Sequence, residues 1–173
     1  MNHDFCAQLG QDRFVLEQTK YKQNGVFVDI GCERPKTISN TYVLESLYNW
    51  TGIGIDLLNC IDDNGETWKN IRPNTLHILG DALTIDYALL FKDNNLPQII
   101  DYLSLDLEPP QITLECLYKI PFDNYKFKCI TFETDEYREG GTERRDVSRS
   151  FLQERGYKLV KSLNQQEDFY ILN

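Results

Sequence analysis

The chain has no paired cysteine motif. Its five cysteines, Cys6, Cys32, Cys60, Cys116 and Cys129, are odd in number and scattered. That argues against a disulfide framework or a zinc knuckle and leaves reduced, mostly buried thiols. No apolar run approaches the ~20 residues that span a bilayer. Asp4, Gln8 and Gln11 interrupt any basic-then-apolar secretory signal. The expected location is therefore cytoplasmic, the host cytoplasm for a viral protein, with no membrane span. Positive charge is also short: 18 Lys and Arg face 27 Asp and Glu, giving a net charge of −9 and a pI near 4.7. A nucleic-acid partner normally needs a basic face that releases counterions, so none is expected. The one basic cluster, Arg144, Arg145 and Arg149, reads as a solvated helix face. Histidine is nearly absent, with His3 near the start and His77 inside an apolar run, where it suits a core or sheet face.

What is present is an alternation of two periods. The 173 residues, 41% hydrophobic and 26% charged, suit one soluble domain, 1–173. Residues 26–29 form a continuous β-branched and aromatic run, the pattern of a strand buried on both faces. Further strands are expected at 52–56, 75–79, 99–107 and 127–132, with a closing pair at 157–160 and 169–172. Helices are expected from Ser39 or Asn40 to Trp50, and over 64–70, 85–91, 111–118 and 144–155. Phe14, Val15 and Leu16 are expected to pack on the sheet. Alternation of this kind gives an α/β fold: a doubly wound, mostly parallel, Rossmann-like sheet with a C-terminal antiparallel strand. That combination fits a class I methyltransferase sheet better than a nicotinamide-binding one.

In such sheets ligands bind beyond the carboxyl ends of the strands. Each of the first five strands runs into an acid there: Asp29, Asp56, Asp81, Asp106 with Glu108, and Glu133 with Asp135. Acids are rarely buried unpaired, so a core role does not explain the series. A dinucleotide needs several glycines for close approach to its pyrophosphate. Only Gly31 is present, and Glu33 would repel a phosphate. S-adenosylmethionine carries a sulfonium cation and no phosphate. Asp56, 25 positions after Gly31, suits its two ribose hydroxyls, and Asp81 with Ala82 suits its adenine edge. Gln8, Gln11 and Asp12 are candidates to close the pocket over its methionine end.

At these residues the chain resembles the FkbM-type methyltransferases. The resemblance runs through Gln8-Leu9-Gly10-Gln11-Asp12, Asp29-Ile30-Gly31 to Thr41, and Gly52-Ile53-Gly54-Ile55-Asp56. It continues in Asp101 to Glu108, Ile130-Thr131-Phe132-Glu133 and Glu167-Asp168-Phe169-Tyr170, and so covers nearly the whole chain. It implies O-methylation, commonly of sugar hydroxyls in a glycan or other small-molecule acceptor. The cofactor residues expected on this basis are Gln11, Asp29, Gly31, Cys32, Asn40, Thr41, Asp56, Leu57, Asp81, Ala82 and Asp106. Two departures stand out. Arg34-Pro35-Lys36 replaces a second glycine, and Glu133-Thr134-Asp135 lacks the histidine often found at its centre.

A sugar hydroxyl needs a general base, or a metal that lowers its pKa. Without a suitable histidine the candidates are Asp106, Glu108, Glu133 and Asp135, with Asp106 and Glu108 preferred. Alternatively Asp106, Glu108 and Glu133 hold Mg²⁺, a hard cation favouring oxygen ligands. Glu133 and Asp135 have a purely structural alternative, capping a helix or pairing with Arg144, Arg145 or Arg149. Three rivals remain open. A base or amine methyltransferase would show Asn-Pro-Pro-aromatic where this chain has Glu108-Pro109-Pro110-Gln111. A nicotinamide oxidoreductase lacks its glycines here. The third is a binding module that keeps the fold without turnover. Tyr118, Phe122 and Tyr125 are expected to be exposed, lining an acceptor pocket or an interface.

Overall fold

The computed structural model describes residues 5–173; His3 lies outside them. Seven strands, β1 (Val26–Ile30), β2 (Thr51–Asp56), β3 (Thr75–Leu79), β4 (Ile99–Leu105), β5 (Lys126–Glu133), β6 (Tyr157–Leu163) and β7 (Glu167–Leu172), form one sheet. Its order is β3-β2-β1-β4-β5-β7-β6. The first five strands pair in parallel, and β7 runs antiparallel to both β5 and β6. The chain therefore starts in the middle of the sheet, winds outward to β3, and returns across β1 to β4. That reversal leaves a crevice between the carboxyl ends of β1 and β4.

Period-two alternation sends the strand residues to two separate cores. Phe27, Tyr102, Cys129 and Phe169 meet α1 (Gln11–Gln18) and α2 (Tyr42–Tyr48) through Phe14, Val15, Leu16, Val43 and Leu44. Val28, Ile30, Leu103, Leu105 and Ile130 face the other side. There they meet Tyr87 and Phe91 of α4 (Tyr87–Asp93), Cys116 and Leu117 of α5 (Pro110–Leu117), and Leu152 of α6 (Gly141–Glu154). Cys32, Cys116 and Cys129 are buried, and no disulfide is present among the described residues. No helix of the described residues is long and apolar enough to cross a membrane.

Several boundaries move for identifiable reasons. The helix expected over 64–70 shrinks to α3 (Trp68–Ile71), because Asp62 Oδ1 accepts the N–H groups of Asn64 and Glu66 and ties the segment into a turn. The fourth strand stops at Leu105, not Leu107. The N–H of Leu107 donates to Thr113 Oγ1 and the Thr113 hydroxyl donates back to Leu107 O, so the ladder cannot continue. The second helix begins only at Tyr42, with Thr41 rather than Ser39 or Asn40 at its N-cap, although Ser39 Oγ accepts from Tyr42 N at 3.1 Å. The closing strands are longer than expected, because Asn164 and Gln165 both adopt positive φ and make a tight hairpin. Phe122 and Tyr125 are not exposed as expected. Their rings pack edge-on against Phe127 and Phe91, while Tyr118 stays half exposed against Phe151.

Candidate functional site

The turn after β1 opens the site. Gly31 has φ +87°, and a Cβ there would lie 1.6 Å from the Asp106 carbonyl oxygen. Only glycine permits this turn and this approach between the loops after β1 and β4. Gly31 N–H and Cys32 N–H both donate to Ile55 O, and Asp106 N–H donates to Ile30 O, so the three strand ends are stitched together. Above them lies a cleft of about 530 Å³, within the range of small-molecule sites. Asp29, Gly31, Cys32, Asn40, Asp56, Leu57, Asp106, Glu108 and Glu133 all line it. Nine expected residues, drawn from β1, β2, β4 and β5 and the loops that follow them, thus meet in one place.

Each acid is held differently. Asp29 is 1% exposed and accepts a 2.8 Å hydrogen bond from the Thr41 hydroxyl. Burial pushes its pKa up, opposed by Thr41 and the charge of Arg72. Asp56 accepts the Glu33 N–H on Oδ2 and the Leu58 N–H on Oδ1, both at 2.8 Å, so it shapes both loops beside it. Asn40 donates to Ser104 Oγ at 3.0 Å. Burial, then the carboxylates of Asp29 and Asp56, push the Cys32 thiol well up, so it lines the cleft as a neutral group.

Asp106 and Glu133 face each other as a carboxyl pair. Burial raises Asp106 to about 6, and burial plus the neighbouring Asp106 raises Glu133 to about 10. Burial and mutual repulsion thus push both carboxyls up, so the pair titrates as a unit above the ordinary carboxylate range. Glu108 is exposed and held bidentately by Arg138, at 2.7 and 2.8 Å. Asp135 is wholly buried and lies 2.8 Å from Arg138 Nε. Among the described residues, none of the expected alternative partners forms an ion pair with the Glu133 or Asp135 carboxylate. Arg145 pairs with Glu136 and Asp146, and Arg149 with Asp168; the Arg144 side chain bonds the carbonyls of Glu139 and Asp135. The trio whose oxygens converge is Glu108, Glu133 and Asp135, so Asp135 takes the place expected for Asp106.

Other expected residues lie off the cleft. Asp81 Oδ1 accepts the Leu83 N–H, and Ala82 is buried with its carbonyl accepting from the Tyr87 hydroxyl. Both follow β3, the outermost strand, and neither lines the cleft. Gln11 is buried and does not line the cleft, accepting instead the Leu9 N–H, while Gln8 reaches the lining. Asp12 accepts the N–H groups of Cys6 and Ala7 and so fixes the segment that carries Gln8. His77 stacks on Trp68 with ring centroids 4.4 Å apart, a sheet-face role.

Arg72 escaped sequence reasoning. It is fully buried and donates to Glu45, Pro35 O, Ser39 and Thr41. Through Thr41 it reaches Asp29, so it anchors the whole loop that brings Asn40 to the cleft.

No family model and no curated protein matches the chain in sequence. Solved structures do match in shape. A Clostridium thermocellum protein assigned as an rRNA-methylase superposes with a TM-score of 0.57 at 14% identity, over 96% of this chain and 99% of that one. The methyltransferase domain of METTL16 gives 0.58 at 12% identity, over 93% and 65%. The chain has the class I methyltransferase fold. The human methyltransferase 10 domain-containing protein gives 0.54 at 11% identity, over 100% and 85% of the two chains. In this fold the crevice between β1 and β4 coincides with the acidic cleft just described. The FkbM resemblance rests on its motifs alone.

Proposed function

We propose that the protein is an S-adenosylmethionine-dependent methyltransferase acting on a hydroxyl of a sugar, glycan or comparable small acceptor. The observation that carries this reading is the charge of the cleft. Six acids line it, Asp29, Glu33, Asp56, Asp106, Glu108 and Glu133, and no lysine or arginine does so among the described residues. A pyrophosphate would be repelled there, whereas a sulfonium and an α-ammonium group are attracted.

The residues fit that cofactor. Asp56 spends two acceptor positions on its loops, and a carboxylate offers about four, so two remain for ribose hydroxyls. Asp29 Oδ1 is buried with no hydrogen-bond partner among the described residues, an acceptor in want of a donor. Leu57, Leu58 and Ile38 supply apolar wall. When bound, the cofactor supplies an electrophilic methyl group. Asp106, paired with Glu133 and raised with it by burial, is placed to accept the proton of the acceptor hydroxyl.

Two observations support a hydroxyl on a small acceptor over a nucleic-acid base. Glu108-Pro109-Pro110-Gln111 lacks the asparagine and aromatic of base and amine methyltransferases. The basic cluster is not the solvated face expected: Arg145 and Arg149 are held in internal ion pairs, and Arg144 is buried against the carbonyls of Glu139 and Asp135.

Activity should rise with pH above the ordinary carboxylate range, as the Asp106–Glu133 pair loses its first proton. Asp106→Asn should lower turnover about 10²–10⁴-fold and flatten that limb. A panel of glycans, small alcohols and RNA, assayed by transfer of labelled methyl, tests the acceptor class. An unchanged pH profile in the variant would remove Asp106 from its role, and transfer to RNA alone would overturn the hydroxyl-acceptor reading.

Stability carries the opposite sign. Both carboxyls have folded pKa values above their ordinary ones, so the unfolded chain ionises first. Their contribution to stability is fully present below about pH 4 and falls as pH rises through the raised values of the pair. Glu133→Gln, which mimics the protonated acid, is expected to raise the thermal midpoint at pH 8. A lower midpoint would contradict the assignment.

A further inference from the structure

We propose that Glu108, Glu133 and Asp135 form a binding site for a hard divalent cation at the mouth of the cleft, with the Arg138 guanidinium as its resident counter-ion. One carboxylate oxygen from each lies within 4.8 Å of the other two. A cation ligated at about 2.1–2.6 Å bridges such a span after a small inward adjustment of the side chains. The acids come from two strand ends. Glu133 closes β5 and Asp135 follows two residues later, while Glu108 lies three residues beyond β4.

Spacing among acids is common without a metal; burial without donors is not. Asp135 is wholly buried, yet its Oδ1 has no hydrogen-bond partner among the described residues. Glu133 Oε2 is in the same condition. A buried carboxylate oxygen left without a donor is costly, and such atoms are normally met by a proton donor, a water or an ion. Asp135 Oδ1 is such an atom, and it belongs to this trio of acids.

Arg138 accounts for part of the charge only. It grips both oxygens of Glu108 and lies beside Asp135 Oδ2, and among the described residues it makes no hydrogen bond or ion pair with Glu133. Its side chain is 40% exposed and rests on the Tyr137 ring, so it can leave without opening the core. Magnesium or manganese suits an all-oxygen set, with waters completing the shell. Glu108 and Glu133 also line the cleft, so a bound cation would share it with the acceptor.

The site is a binding claim about the free protein and stands or falls apart from the methyl-transfer reading. The test is Mn²⁺ titration of the full chain without cofactor, followed by loss of the free-ion electron paramagnetic resonance signal. S-adenosylhomocysteine affinity is measured in parallel as a check on the cleft. One saturable equivalent is expected. Arg138→Gln should tighten it roughly tenfold by removing the competing charge, and Glu108→Gln, an exposed and structurally mild change, should weaken it roughly tenfold. Asp135→Asn should abolish it if the variant folds. Absence of saturable binding in both the parent and folded Arg138→Gln protein would overturn the site, as would binding indifferent to Glu108→Gln.

Discussion

Replacing Arg72 with alanine is expected to cost about 3–5 kcal/mol of folding stability, a large share of what a domain of this size possesses. The loss is not that of a surface ion pair. Arg72 and Glu45 are 0% and 3% exposed at their side chains, so removing the guanidinium strands a charge in the interior. Glu45 would keep its bonds from Asn74 N–H and the Thr75 hydroxyl but lose its cation. Phe27 and Trp68, whose rings flank the guanidinium, would lose a packing partner as well. Urea unfolding measures the effect. Arg72→Met with Glu45→Leu should recover much of it, because a matched apolar pair needs no desolvation of charge. A loss below about 1 kcal/mol for the single variant would show that water reaches this pair.

The second large effect belongs to the cleft. Asp56→Ala should weaken S-adenosylhomocysteine binding at least ~100-fold, since hydrogen bonds to a charged group contribute about 1.5–3 kcal/mol each and two ribose hydroxyls are at stake. The same change frees the N–H groups of Glu33 and Leu58, loosening both loops beside Gly31. Asp81→Ala is the informative comparison. Its carboxylate holds Leu83 N–H outside the cleft lining, so affinity should stay within about fivefold. Calorimetry on the two variants decides the placement. Equal losses would mean that the cofactor extends over β3, as the strand-end series in the sequence suggests.

The contrast between Asp56 and Asp81 shows what a sequence reveals of such a site. Chain order exposes every strand end, and acids at strand ends are readable. Lateral strand order is not read from local pattern, and it decides which ends share a crevice. β3 lies at the sheet edge, separated from β4 by two strands, so its acid falls away from the others. Gly31 and Asp56 were legible because a tight turn and a strand terminus each leave a local mark. Arg72 was not, since its partners lie 27 to 37 positions away and Arg72-Pro73-Asn74 reads as an ordinary turn. Arg138 hides for the same reason, meeting Glu108 across 30 positions. The fold was legible because alternating periods and a closing hairpin leave few topologies open.

The central claim is that the acidic cleft beyond β1, β2 and β4 receives S-adenosylmethionine. Its most direct test is calorimetric titration of the unaltered protein with S-adenosylhomocysteine and, separately, with NAD. Saturable binding of the first in the micromolar range, with none of the second, is the result this account predicts. Binding of NAD without S-adenosylhomocysteine would contradict it.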